Sequence, residues 1–541
     1  MIGVEQAIAA GYAAFKAGDL ATARQALAGQ THPQAIHLLG LVEKSAGNYS
    51  EARTLLTHAA QLAPDNPEVF NNLGLLERLA GNLTAAEGAF RAALSLKPDF
   101  RSARLSLVRT LHGLERDHEA LAEGARLLAA DPDDVDALVA MVHAAIGDSD
   151  WDRANGFAAR ASALRPQSAF VRHASAAVAL HLGQLVEAEA ALRALLADGH
   201  DHAETWFLLA RTLEEAGDLD AAMTTAEEAL TRHPSKDLLL FLADLHWMRG
   251  ETERFDACLQ SAMANPDLAL TAIGALRKAG HLDRAYSALS AQPDHIEMSP
   301  AGLSLRSALF LDAGDASAAL QAARDACRTG QDVTDNLHLL RALLAVGEAA
   351  EALELIEMAR RRDPLSQFWL AYEATALRML GDPRYTDLID YEHHIRAYDL
   401  SVPDGYASIE AFDADLLRTI ERLHPFEAHP LNQSLRGGAQ SPRNLTTLQD
   451  PVLLAYFNAL RASIEAYMAT IGTGPGHPTS ARNTGAFRFA GCWSVRLKGG
   501  GYHVNHIHPK GWISSAYYVS VPPETGTTEA REGWISLESR R

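Results

Sequence analysis

A beat of 34 residues governs what the first two thirds of this chain can fold into. Prolines stand at Pro64, Pro98, Pro132 and Pro166 in consecutive 34-residue steps, and Pro234 follows two steps later, with His200 at the skipped position. Gly47, Gly81, Gly183 and Gly217 keep the same beat. Ala52, Ala86, Ala120, Ala154, Ala188 and Ala222 keep it five residues further on, and Ala59, Ala93, Ala161 and Ala229 keep it in a third phase. Self-similarity at such a period marks stacked units, each too small to bury its own apolar face. A division of the 541 residues by an average domain size therefore does not apply, because a stacked array has no single core to outgrow.

Each unit reads as two helices. An apolar run, Val69 to Gly81, ends on a glycine suited to a left-handed C-cap, and a second helix is expected over Ala85 to Leu96. Pro98-Asp99 closes the unit, because proline cannot continue a helix interior. The small residues fall where the helices of a pair cross closely. Units 33–66, 67–100 and 203–236 carry small residue, glycine, alanine, aromatic or leucine, alanine and proline at fixed offsets, with Trp206 at the aromatic position. In this they resemble the tetratricopeptide repeat. After Pro234 the beat loosens but survives as Gly280/Ala285, Gly314/Ala319 and Gly347/Ala352, and Pro364 closes the last ordinary unit. Gly18 and Ala23 open a shortened first unit. The expectation is a mainly α chain, with a helical solenoid over residues 1–366 and a groove along its first helices.

Such a groove takes an elongated protein or peptide partner. The candidate lining residues stand one turn apart on first helices: Glu68, Asn71, Leu75 and Arg78 in one unit, and Glu204, Phe207, Arg211 and Glu214 in another. Asn71, Arg78, Phe207 and Arg211 are the side chains put forward to meet the partner; a plain solvated face is the alternative.

Charge narrows the function. With 48 basic against 68 acidic side chains the net charge is −20, which argues against a nucleic-acid partner. Cys258, Cys327 and Cys492 are scattered, so neither a disulfide framework nor a cysteine zinc module is expected. The N-terminus carries Glu5 and no basic leader, and reads as a first helix. No run approaches the length of a membrane span. Together these suggest a cytoplasmic protein.

Beyond Gly381 the alanine-rich rhythm stops and X-Pro pairs punctuate the chain. Residues 367–424 read as a junction and 425–541 as a second domain. One helix is expected over Val452 to Met468, then a loop at Gly472 to Pro478, then strands over Gly485 to Lys498 and Ile513 to Pro522. Between the strands, GGGYHVNHIHPKGW gathers His503, His506 and His508. On an extended chain residues two apart share a face, so His506 and His508 could offer two neighbouring metal ligands. A metal-free histidine loop is the plain alternative.

The segment His429 to Leu445, with HVNHIHPKGWISSAYYVSVPP after it, resembles 2-oxoglutarate- and iron(II)-dependent oxygenases. The resemblance spans roughly residues 425–537 and implies a double-stranded β-helix, Fe(II) and 2-oxoglutarate. It places His506 on the first metal-ligand position and His508 on the second, where a carboxylate is usual, and puts Ser514, Ser515, Tyr517 and Tyr518 on the next strand. After His508 there is no histidine and no aspartate, the likeness stops at REGWIS (Arg531 to Ser536), and Arg540 and Arg541 stand too near the end to hold 2-oxoglutarate. The reading is an incomplete, truncated or degenerate β-helix domain. A cupin alternative fails because Trp512 and Ile513 stand where its glutamate should be. Gly499-Gly500-Gly501 lacks the lysine of a phosphate loop. The functional expectation is an interaction scaffold carrying an inactive oxygenase domain; the alternative is an active hydroxylase whose repeats recruit a protein or peptide substrate.

Overall fold

A computed structural model describes residues 3–329, 333–509 and 511–521. The features expected at Arg531 to Ser536, Arg540 and Arg541 lie outside the described residues, as does Pro522. The chain forms two compact units that divide between His200 and Asp201.

The first unit is a run of antiparallel helix pairs. They are Val4–Lys16 with Leu20–Leu27, Pro33–Ser45 with Tyr49–Leu62, Pro67–Leu79 with Leu83–Leu96, Arg101–Gly113 with Asp117–Ala130, Val135–Gly147 with Trp151–Leu164, and Ala169–His181 with Leu185–Ala197. Prolines open two first helices at Pro33 and Pro67, where a missing N–H costs nothing. Asp19, Asp134 and Asp150 cap others by accepting from backbone N–H groups.

The end of each first helix explains the glycine phase. The Gly81 N–H donates to the Arg78 carbonyl (3.2 Å) and the Asn82 N–H to the Glu77 carbonyl (2.8 Å), a paired closure that needs a left-handed residue, and Gly81 has φ +83°. Two units lack the glycine and still make the turn: Glu115 (φ 59°) and Ser149 (φ 55°) occupy the same phase. The alanine phase is the helix crossing itself. Ala52, Ala86, Ala120, Ala154, Ala188 and Ala222 are all fully buried.

The second unit continues with Ala203–Ala216 and Leu219–Arg232, Lys236–Met248 and Thr252–Met263, Ala269–Lys278 and Leu282–Ser290, Pro300–Asp312 and Ala316–Thr329, and Val333–Val346 and Ala349–Arg360. Gln367–Leu380, inside the expected junction, packs Ala376 and Leu377 against Leu353 and Ile356. Helix Ile409–Glu421 then packs on Pro451–Ile471 through Phe412, Leu416, Leu453 and Phe457. No helix among the described residues is long and apolar enough to cross a membrane.

Sheet is sparse. Strand β1 (Leu435–Gln440) pairs antiparallel with β2 (Val495–His503), Leu435 facing His503 and Gln440 facing Val495, with an irregularity between Arg436 and Gly438. Glycine is required there, since a Cβ on Gly438 would stand 2.5 Å from the Arg496 carbonyl oxygen. Among the described residues these two strands are what exists of the expected β-helix. The strand expected over Gly485 to Lys498 starts only at Val495; upstream, Cys492 and Ser494 bond Leu445, Asn444 and Ser441 one group at a time. The strand expected from Ile513 is irregular through Val521, and Tyr517 instead donates its hydroxyl to Asp413 (2.7 Å). Strand-like composition found a core to join there without finding a ladder partner.

Ser149 pays backbone strain to complete its turn. Ser149→Gly should raise stability by about 0.5–1 kcal/mol, the left-handed penalty less the entropy of glycine. A lower urea midpoint for the variant would refute that account.

Candidate functional site

The proposed groove residues take different positions. Asn71 is buried, and its carbonyl oxygen has no hydrogen-bond partner. Arg78, two turns on, is exposed. In the second unit Phe207 is half-buried and meets Phe241 edge to face (5.9 Å between centroids). Arg211 pairs with Glu214 (2.6 Å) and Glu215 (3.7 Å) on its own helix.

Around Arg211 the face is acidic and dry. Burial raises the Glu214 carboxyl to about 7, Arg211 opposing and Glu215 and Asp244 reinforcing. Burial likewise raises Asp244 to about 6, opposed by a backbone N–H bond from Leu431 and by Lys278 and Arg211. Glu215 is raised for the same reason, with Arg211 and Arg443 pulling the other way. Asp244 and Trp247 stand 33 residues after Arg211 and Glu214, so they continue the same row on the next first helix.

A segment of the chain itself lies on that row. The N–H groups of Glu427 and Ala428 both donate to the Met248 carbonyl (3.3 Å each), and the Leu431 N–H donates to Asp244 Oδ1 (2.7 Å). The His429 ring stands perpendicular to Trp247 (6.0 Å). Leu431 is buried in a cluster with Leu239, Ile273, Leu276 and Leu309. Lys278 donates to the Asn432 side-chain oxygen, and Arg443 reaches Glu215 (3.3 Å). Pro425 and Pro430 bias the residues before them to extended backbone, which leaves these N–H groups for the repeats. The prolines were the available sequence signal; nothing in the spacing named the acceptors.

The histidines lie at and beyond the end of β2. His503 Nδ1 is 2.9 Å from the Ser434 hydroxyl, and His506 Nδ1 is 2.9 Å from the Val504 carbonyl. The His506 and His508 rings are adjacent, 5.0 Å apart at 71°, and His503 is 5.7 Å from His506. All three are exposed, and the pair sits in irregular chain rather than on a strand face. Among the described residues no three His, Cys, Asp or Glu side chains are placed to hold a metal ion. Three imidazoles without a convergent carboxylate do not fit a facial iron site. On the following stretch Tyr517 is spent on Asp413 and on packing against Tyr456 (5.5 Å), while Ser514, Ser515 and Tyr518 are exposed.

Comparison with known proteins finds matches in both parts of the chain. The repeats are tetratricopeptide repeats: residues 37–99 and 80–135 match one tetratricopeptide-repeat family model and 203–245 match another. Residues 491–540 match the family described as "Putative 2OG-Fe(II) oxygenase". Among solved structures, a tetratricopeptide repeat protein from Parabacteroides merdae is similar at 16% identity and TM-score 0.39, over 42% of this chain and 92% of that one. A thermophilic TPR protein of Thermus thermophilus is similar at 25% identity and TM-score 0.31, over 33% and 98%. No curated protein matches significantly.

The buried acids set a pH dependence. A carboxyl whose folded pKa is raised stabilises the fold when protonated, and that contribution is lost as pH rises from its ordinary value through the folded one. For Glu214 and Asp244 the window runs from about 4 to about 7. Glu214→Gln should therefore shrink the fall in Tm between about pH 5 and pH 8. An unchanged fall in thermal scans would show that Arg211 already compensates the buried charge.

Proposed function

We propose that this protein is an interaction scaffold whose repeats hold extended peptide segments across their first helices, and whose C-terminal oxygenase-like domain is inactive in this chain. The observation that supports the scaffold is the seating of residues 427–432 on Asp244, Trp247 and Met248: backbone N–H groups meet fixed acceptors while one leucine is buried. That is how a repeat face recognises a peptide without folding it. The partner is a protein or peptide; the net charge of −20 disfavours nucleic acid.

The test uses a fluorescein-labelled peptide copying residues 424–436. Leu431→Ala in the full chain loosens the resident segment, so this variant should bind the peptide at least about tenfold more tightly than the parent, a difference of about 1.4 kcal/mol. Adding Asp244→Leu should remove that binding. Equal anisotropy curves for parent and Leu431→Ala would sink the reading.

A second reading is an active 2-oxoglutarate- and Fe(II)-dependent dioxygenase that hydroxylates a peptide delivered by the repeats. The match over residues 491–540 favours it, and Fe(II) and 2-oxoglutarate enter by that likeness alone. His506 and His508 are the proposed metal ligands. Held by two imidazoles with water at the remaining positions, a divalent ion should bind weakly and favour copper or nickel over iron. The expected results are metal binding lost in His506→Ala and no succinate from 2-oxoglutarate after anaerobic loading with Fe(II) and admission of O₂. Succinate turnover abolished by His506→Ala would establish the dioxygenase reading instead.

A further inference from the structure

The chain leaves the repeat face of the second unit in a fixed direction. The Gln433 N–H donates to the Pro430 carbonyl (3.2 Å), closing a turn with Leu431 and Asn432 at its centre. Both central residues are anchored on the repeats. Leu431 is buried among Leu239, Ile273, Leu276 and Leu309 with its N–H on Asp244, and the Asn432 side-chain oxygen accepts from Lys278. Arg436 stiffens the exit by donating to the carbonyls of Gln433 (2.8 Å) and Leu435 (2.6 Å). Ser434, the first residue after the turn, is therefore placed by contacts with the repeats.

Ser434 in turn holds the start of the histidine loop. Its carbonyl accepts the Val504 N–H (2.9 Å), and its hydroxyl lies 2.9 Å from His503 Nδ1. His506 Nδ1 lies 2.9 Å from the Val504 carbonyl, and its ring is adjacent to those of His503 and His508. One series of contacts thus runs Asp244, Leu431, Ser434, Val504, His506. A second tie lies beside it: Lys498 of β2 donates to the Glu427 carbonyl (2.8 Å) and pairs with its carboxylate (3.0 Å), while the Glu427 N–H is on Met248. The rest of β2 is held differently. Its Val495 end is tied within the C-terminal stretch, by the Ser441 N–H on the Ser494 carbonyl (2.9 Å) and the Leu445 N–H on the Cys492 carbonyl (2.8 Å). The irregularity between Arg436 and Gly438 divides that end from the His503 end. Beyond the histidines the loop has a separate tie, Gln367 donating to the Trp512 carbonyl (3.4 Å) and Trp512 Nε1 to the Thr479 carbonyl (2.9 Å).

A two-stranded ladder is marginal by itself, and β2 is exposed along nearly all its length. The order of its His503 end depends on what the facing end of β1 is fixed to, and that is the repeat face. We infer that the turn at residues 430–433 is a pin, tying the order of the histidine loop to the seating of residues 427–432 on the repeats. Seated, it holds Val504 and His506 through Ser434; unseated, it frees them. A partner segment bound on Asp244 and in the leucine pocket keeps the pin out, so partner binding on this face and order in the loop oppose one another. That release step rests on the peptide-binding reading of the face; the pin itself does not.

The test is hydrogen–deuterium exchange, read by mass spectrometry over overlapping fragments of the full chain. Leu431→Ala should speed exchange over residues 501–504 at least about tenfold, while residues 492–496 and helix Pro451–Ile471 keep parental rates. Lys278→Met removes the Asn432 anchor without touching the sheet, and should act in the same direction by a smaller factor. Gln367→Ala, on the loop's other tie, should leave residues 501–504 unchanged. A fluorescein-labelled peptide copying residues 424–433 stops short of Ser434. It should bind Leu431→Ala by anisotropy and leave residues 501–504 fast, because it fills the face without being joined to Ser434. Parental exchange in both Leu431→Ala and Lys278→Met, equal acceleration by Gln367→Ala, or protection regained on adding the peptide would each overturn the inference. Faster exchange with no peptide binding leaves the pin standing and sinks the peptide-binding reading; peptide binding with parental exchange does the reverse.

Discussion

Everything in this fold hangs on how closely two helices of a pair can approach. In the unit 67–100 the contact is between Gly74 and Phe90: a Cβ at Gly74 would stand 2.6 Å from the Phe90 ring. Gly40 faces Leu56 the same way, at 2.8 Å. The buried alanine of each second helix completes the crossing. A larger side chain at either place must push the helices apart, and close-packed interiors absorb little of that. Because the crossing recurs every unit, successive first helices come to lie side by side, and side chains about one repeat apart, 31 residues for His112 and His143 and 35 for His37 and Asn72, become neighbours. His112 stacks on His143, and Asn72 reaches His37, only because that spacing is held.

The repeats were legible in the sequence because their determinants are local and periodic. The 34-residue phases of glycine and alanine located the turns and crossings, and Glu115 and Ser149 show that the turn geometry persists where the glycine does not. The C-terminal stretch had no such redundancy. Its helix over Val452 to Met468 was found because an amphipathic helix announces itself within its own length, and it runs from Pro451 to Ile471. Strands announce only half of what they need. The runs from Gly485 and Ile513 had the composition, but a strand also requires a neighbour, and in the described residues only Val495–His503 finds one, in Leu435–Gln440. The histidine spacing had the same weakness: it placed His506 and His508 side by side but could not show whether a third ligand converges on them.

The resident segment was the least visible feature, because its contacts cross long stretches of sequence. Leu431 meets Asp244, and Arg443 meets Glu215. Each partner alone looks unremarkable, an aspartate on a helix and a leucine after a proline. What could have raised suspicion is the acid density of the face. Glu214, Glu215 and Asp244 are all largely buried near a single arginine of their own helices, Arg211, an arrangement that costs desolvation energy and leaves charge of one sign in excess. Such a cluster makes physical sense only if donors arrive from elsewhere in the chain, and they do.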